Sequence, residues 1–450
     1  MPRLYSPSVV GFYEKLWASD GARHLRDLVS HGYYGVLPPG DSYADDLPIR
    51  FIRSAEMNGD LDVDLDDCPF VEEQYYIKKA RVQKDDVLLA VKGATIASRK
   101  CVAHVRNDVG KAIVNGSIYR MQVKPEVNPR FLAIVLSTEM LKRQMRLALT
   151  ANNGVDYLDK SLIHHLVVPA PERGVQDKLV AMYDAAMAAS VSAKQEAAIL
   201  LASIDDYLLS ELGITLPPET ENTLANRTFR VAAHELSGWR FDPYHHQTYF
   251  LQFDDALLGG KCPLSSLRNV YRTLVNGYDC RDFVEDGLPY LKVAQVKPFN
   301  LKIEDAQAIS ETGVPARGLA LKGDLLLTRK GTYGDAALNR SDTPFAFSSE
   351  VFRIRLNPAK LNGDYAEAVL NSVMVRTQFK RHSIGAIMGS LSQSIFGKIQ
   401  IPLPAIAEQE RIALYCRHVR GQAKALEFKA IAELEAAKRE IEAILLGGAV

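Results

Sequence analysis

Two short segments carry side chains suited to gripping a nucleic acid. One is Lys92-Gly93, with Arg99 and Lys100 close behind; the other is Arg329-Lys330-Gly331, with Tyr333 close behind. Lysine sets a positive charge against a phosphate, arginine offers paired donors to a guanine edge, and glycine allows positive φ and close backbone approach. Tyr333 can stack on a sugar or base. A second pair of basic clusters comprises Lys142, Arg143 and Arg146, and then Arg376, Lys380 and Arg381. Their spacing of three and four places the charges on one face of a helix, as candidate phosphate contacts. Asn152-Asn153-Gly154 and Ser383-Ile384-Gly385 follow in equivalent loops, and asparagine can pair with adenine in the major groove. Each reading has a plain alternative: a hairpin turn with solvated lysines, a wet helix face, a packed aromatic, an ordinary turn.

Other chemistry is harder to find. Asp60, Asp62, Asp64 and Asp66 alternate with aliphatic residues, but an EF-hand loop needs Gly sixth and Glu twelfth, where this chain has Leu65 and Val71. The alternation predicts a strand with one wet face. The pairs His164-His165 and His245-His246 have no evident third ligand nearby, so no metal is expected. No GxxxxGK[ST] loop, no convincing SAM-binding turn and no nucleophile–base arrangement appears. Asp242-Pro243-Tyr244 lacks the second proline of the methyltransferase motif it grazes.

The elements that must position the basic segments occur twice. Lys84, Asp86, Leu88, Leu89, Lys92 and Gly93 match Lys322, Asp324, Leu326, Leu327, Lys330 and Gly331 at one offset. In the same order, Tyr119-Arg120 matches Phe352-Arg353, and Met140, Lys142, Gln144 and Arg146 match Met374, Arg376, Gln378 and Lys380. Val168-Pro169-Ala170-Pro171 matches Ile401-Pro402-Leu403-Pro404, Gln176 matches Gln409, and Ile204 matches Ile441. So long a repeat exceeds a solenoid unit of about 20–50 residues and indicates a duplicated domain. Each copy opens with about 150 residues of mixed character and closes on a long helix. Apolar or small residues recur every three or four positions from Val175 to Leu208 and again from Ile412 to Ile444. Each helix would span roughly 60 Å, and the narrow, alanine-rich stripes predict helix-on-helix packing.

Bulk properties bound the class. The chain has 54 basic and 54 acidic residues and a formal net charge of +0, which argues against a protein that coats nucleic acid by bulk charge but leaves room for a local basic cleft. Its 5 cysteines form no CxxC pair, so neither a zinc ribbon nor a disulfide framework is expected. No run of about 18 apolar residues occurs, so no membrane span is expected. The opening MPRLYSPSVVGFYEK shows no signal-peptide pattern, and the cytoplasm is the expected compartment.

Taken together, Lys84–Gly93 with Lys322–Gly331, the exits Val167–Asp177 and Ile401–Arg411, and WRFDPYHH at Trp239–His246 make the chain resemble the specificity subunits of type I restriction-modification systems. The segment IPLPAIAEQERIA has that family's usual wording. The first exit, VVPAPERGVQDKLV, departs from it by lacking the acidic residue seen at Glu408, and no clear counterpart of WRFDPYHH appears near the N-terminus. The resemblance implies an α/β (mixed α+β) chain with two pseudo-twofold-related target-recognition domains separated by a long antiparallel two-helix coiled coil. The expected division is 1–172, first recognition domain; 173–213, central helix; 214–236, linker; 237–405, second recognition domain; and 406–450, C-terminal helix.

It also implies a non-catalytic subunit that binds double-stranded DNA at a bipartite sequence. Two modification subunits would dock on the helices and methylate adenine, and restriction subunits can be added. No cofactor is expected on this chain; S-adenosylmethionine and ATP belong to the partners. Base-reading residues should differ between the copies, since each reads its own half-site. Two rival readings are a methyltransferase or nuclease with a hidden active site, and a bilobed protein-interaction scaffold with no DNA role.

Overall fold

The computed structural model describes residues 6–44, 46–66, 68–152, 155–221, 223–232, 243–383 and 389–447. The chain separates into two compact units. One comprises Met1–Lys194 with Glu427–Val450, the other Gln195–Leu426. The boundaries cut across both long helices, Arg173–Leu212 and Ile406–Leu445, so each unit owns one half of each.

In the first unit a four-stranded antiparallel sheet runs in the order Val29–Tyr34, Ile118–Val123, Val87–Ala90, Val102–His104. Beside it lies a three-stranded sheet of Phe70–Val71, Ile49–Ile52 and Ala112–Val114, the last pair parallel. The strand Val87–Ala90 is wholly apolar because it is buried along its whole length. Helix Pro129–Leu136 packs on the four-stranded sheet and Glu139–Ala148 packs against that helix; Asn128 caps the first by accepting from the amides of Arg130 and Phe131. Leu179, Tyr183 and Met187, early in the first long helix, share this unit's main core with Leu434, Ile441 and Leu445, late in the second.

The second unit repeats these choices. Its four-stranded antiparallel sheet runs Tyr271–Asn276, Val351–Leu356, Leu325–Thr328, Ala336–Leu338. The companion sheet has five strands, with Leu288–Leu291 and Phe345–Phe347 as its parallel pair. Asn362 caps helix Gly363–Asn371, and Val373–His382 follows. Here Ile204, Leu208 and Leu212, late in the first long helix, share the core with Ile412, Cys416 and Val419, early in the second. The helix halves therefore run antiparallel within each unit, and Tyr207 stacks on Tyr415 with ring centroids 3.7 Å apart. Even the edge bulge recurs, between Val29 and His31 and between Tyr271 and Thr273.

Two of the matched polar pairs, Asp86 with Asp324 and Gln144 with Gln378, are internal fasteners. Asp86 is fully buried and accepts from the Gln83 amide at 2.7 Å and from Arg120 at 2.9 Å; Asp324 accepts from the Leu321 amide and from Arg355, each at 2.9 Å. Gln144 clamps both backbone groups of Val167, at 2.8 and 2.9 Å, and Gln378 clamps those of Gln400, each at 2.8 Å. A two-pronged amide clamp fixes strand register where an isolated buried amide would cost about 1–3 kcal/mol.

One expected element is absent. Residues 60–66 form no strand; only Val63 makes a bridge, to Met57. The Asn58 carboxamide accepts from the amides of Asp60 and Asp62 at 3.0 and 2.9 Å, and Leu61 turns to φ +62° to bury its side chain. This local turn captures the backbone amides that a strand would have paired. No described helix is long and apolar enough to cross a membrane.

Candidate nucleic-acid interface

Gly93 and Gly331 occupy corresponding places, each at φ +68°, where a side chain would be strained. Each follows a buried strand and an exposed lysine. Lys92 makes a backbone bridge to Tyr157, and Lys330 makes one to Ser390. Each glycine turn is thus backed by the segment that leads into a short helix, Lys160–His164 in one unit and Gln393–Lys398 in the other. The Lys92 ammonium stands over the Tyr157 ring, 5.7 Å from its centroid. Among the described residues, no neighbour lies within 4 Å of where a Cβ would stand at either glycine.

The basic residues around these turns separate into two kinds. Lys92, Lys100, Lys330 and Lys380 are exposed. The arginines are engaged within the fold. Arg99 pairs with Asp60 at 3.2 Å, Arg146 with Glu139, Arg376 with Asp335 at 2.8 Å, and Arg381 with Asp254 at 2.7 Å. Arg329 donates to the carbonyls of Leu391 and Ser349, and Arg143 lies over the Phe12 ring. Arg376 also donates to the Asn371 carbonyl, and Arg381 to that of His245. Helical spacing puts Lys142, Arg143 and Arg146 on helix Glu139–Ala148, and Arg376, Lys380 and Arg381 on Val373–His382, but neither triad forms one free basic face. Lys142 is half-buried. Tyr333 packs on Gly389 and donates to the Ser383 hydroxyl at 3.1 Å, so it serves as a packed aromatic.

Asn152 lies on the strand Thr150–Asn152, paired with Val155–Tyr157. Asn153, Gly154, Ile384, Gly385 and the stretch from Ser237 to Asp242 lie outside the described residues. Of the histidine pairs, His164 meets the Tyr119 hydroxyl at 2.8 Å. Burial, then nearby Lys160, His165 and Arg26, hold its pKa below the usual histidine value. His245 is buried against the ring of His382. No cluster of metal-ligating side chains exists among the described residues.

Sequence reasoning missed a basic concavity in the second unit. Arg268 and Lys398 meet there because Leu264–Ser266 pairs with Gln400–Pro402. The two segments are too far apart in sequence for any local pattern to link them.

Residues 316–436 match the family model described as the type I restriction modification DNA specificity domain. No curated protein matches the chain. Among solved structures, an S subunit of a type I restriction-modification system from M. genitalium is 10% identical, with TM-score 0.37 over 94% of each chain. An HsdS subunit from Thermoanaerobacter tengcongensis is 13% identical, with TM-score 0.36 over 95% of this chain and 97% of that one. A chain from work on complex assembly and conformational transition of the type I R-M system is 14% identical, with TM-score 0.46 over 95% of this chain and 97% of that one.

Proposed function

We propose, for a chain whose residues 316–436 match the type I restriction modification DNA specificity domain, that the whole protein is the DNA-recognition subunit of a type I restriction-modification complex. Each unit reads one half of a bipartite target in double-stranded DNA. The two long helices dock modification subunits and set the spacer between the half-sites. The chain works by binding, and the partners supply methyl transfer and its cofactors.

The observation that carries this reading is the recurrence of one design around the matched region. The second unit holds most of the matched residues, and the first unit has the same four-strand order, the same parallel pair and the same glycine turn at φ +68°. Two copies of one binding design suit a two-part target. The exposed lysines beside the glycine turns supply backbone contacts, which fix register without reading sequence. Base readout falls to positions that differ between the copies.

The test is methylome sequencing of the host with this gene present and then deleted, with its neighbouring genes expressed throughout. Loss of methylation at one split motif supports the reading. An unchanged methylome refutes it.

A further inference from the structure

The concavity in the second unit has a volume of about 550 Å³. Arg268 and Lys398, both exposed, bring two positive charges to it. Gln393, Ser394 and Tyr271 add neutral hydrogen-bonding groups, and none of the described lining residues is a carboxylate. A lining of cations and neutral donors without acid attracts an anion with delocalised charge. Gly397 keeps the floor open. A Cβ there would stand 3.4 Å from the Tyr271 hydroxyl and 3.6 Å from the Arg268 Cβ, so any longer side chain would fill the space.

The first unit carries different residues at the corresponding place. Its strand pair aligns His24 with Val167, as the other aligns Ser266 with Gln400. Counting outward from that register, Arg26 corresponds to Arg268, Asp27 to Asn269 and His164 to Gly397. Asp27 lies 3.8 Å from Arg26, and His164 meets the Tyr119 hydroxyl at 2.8 Å. In the second unit the acid is replaced by an amide and the ring by glycine, and both changes favour an anion.

The pocket also continues the glycine turn. The segment Ser390–Lys398 begins at the Lys330 bridge, where Leu391 donates to the Arg329 carbonyl at 2.9 Å, and ends at Lys398. Gln393 is anchored between them by Asn276 at 2.9 Å.

We infer that the pocket of Arg268, Lys398, Gln393 and Ser394 in the second unit is a backbone-phosphate site for DNA. It rests on the reading of the chain as a DNA-recognition subunit, and it grips without reading bases.

The experiment measures DNA affinity of the full chain, assembled with its modification subunits, across a salt series. The variants are Arg268→Gln with Lys398→Gln, and the charge-keeping Arg268→Lys with Lys398→Arg. Each phosphate contact contributes about 0.9 to the slope of log affinity against log salt. The glutamine pair is expected to flatten the slope by roughly 1–2 and weaken binding equally on target and non-target DNA, with the methylated motif unchanged; the charge-keeping pair should retain the native slope. A native slope in the glutamine pair overturns the site while the DNA-recognition reading stands. So does a slope lost equally in both pairs, since that marks a structural role. Failure of the unaltered assembly to bind DNA overturns the recognition reading and the site with it.

Discussion

The Gln409 side chain holds Asn362 by its backbone, accepting the Asn362 amide on its carboxamide oxygen at 2.9 Å. Its carboxamide nitrogen donates to the carbonyls of Lys360 and Pro404 at 3.0 and 2.8 Å. Gln176 does the same in the first unit, taking the Asn128 amide at 2.8 Å and donating to Pro171 at 2.8 Å. Both glutamines are buried. Each ties the first turn of a long helix to the cap of a short helix and to the proline exit of a strand.

Gln409→Ala should therefore cost about 1–3 kcal/mol, because it removes the partner of one amide and two carbonyls that are partly shielded from water. Gln176→Ala should cost a similar amount in the first unit. Urea denaturation read by circular dichroism checks both. A loss under about 0.5 kcal/mol, the usual range for a surface substitution, would show that the clamp is ornamental.

His104 offers a pH test. It is buried, its Nδ1 has no partner, and its Nε2 lies 3.3 Å from Asp85. Burial first, then the Arg130 charge, hold its pKa down to about 4 against an ordinary 6.5. Below 6.5 the unfolded chain takes a proton that the folded chain refuses, so folding weakens as pH falls from 6.5 towards 4. The loss is on the order of 3 kcal/mol. Counting from the paired strands, the same place in the second unit is Leu338. His104→Leu should abolish this part of the acid sensitivity without loss at pH 7.5. Urea midpoints at pH 7.5 and pH 5 decide it, and an equal acid loss in the variant would contradict the assignment.

The division between exposed lysines and engaged arginines gives a third expectation. Lys92→Ala and Lys330→Ala should each weaken DNA binding by the assembled complex, flatten its salt slope by about 0.9, and leave thermal stability unchanged. Arg376→Ala and Arg381→Ala should lower the melting temperature instead, since the first strands the largely buried Asp335 carboxylate and the second removes a largely buried side chain that holds the His245 carbonyl. Salt titration alongside differential scanning fluorimetry separates the two classes. A flattened slope at unchanged melting temperature in the arginine variants would reverse their roles.

How legible these features are depends on range. Val87–Ala90 and Leu325–Thr328 show as strands because burial on every side leaves an uninterrupted apolar run, and the glycine after each shows because a positive φ excludes most other residues. The long helices show because one apolar stripe repeats every three or four residues across forty positions. The fate of a charge is not local. Arg381 meets Asp254 127 residues away and Arg376 meets Asp335 41 residues away, so spacing within a helix marks the face but not its partners. The alternating acids at 60–66 mislead for the same reason: Lys194, 134 residues distant, pairs with Asp60, and an Asn58-centred turn replaces the strand.

The central claim is that each unit reads its own half of a split target. Exchange of residues 25–165 for the corresponding domain of another specificity subunit, followed by methylome sequencing, tests it most directly. One half-site should change while the other half and the spacer stay as they were. A change in both halves, or in neither, would contradict it.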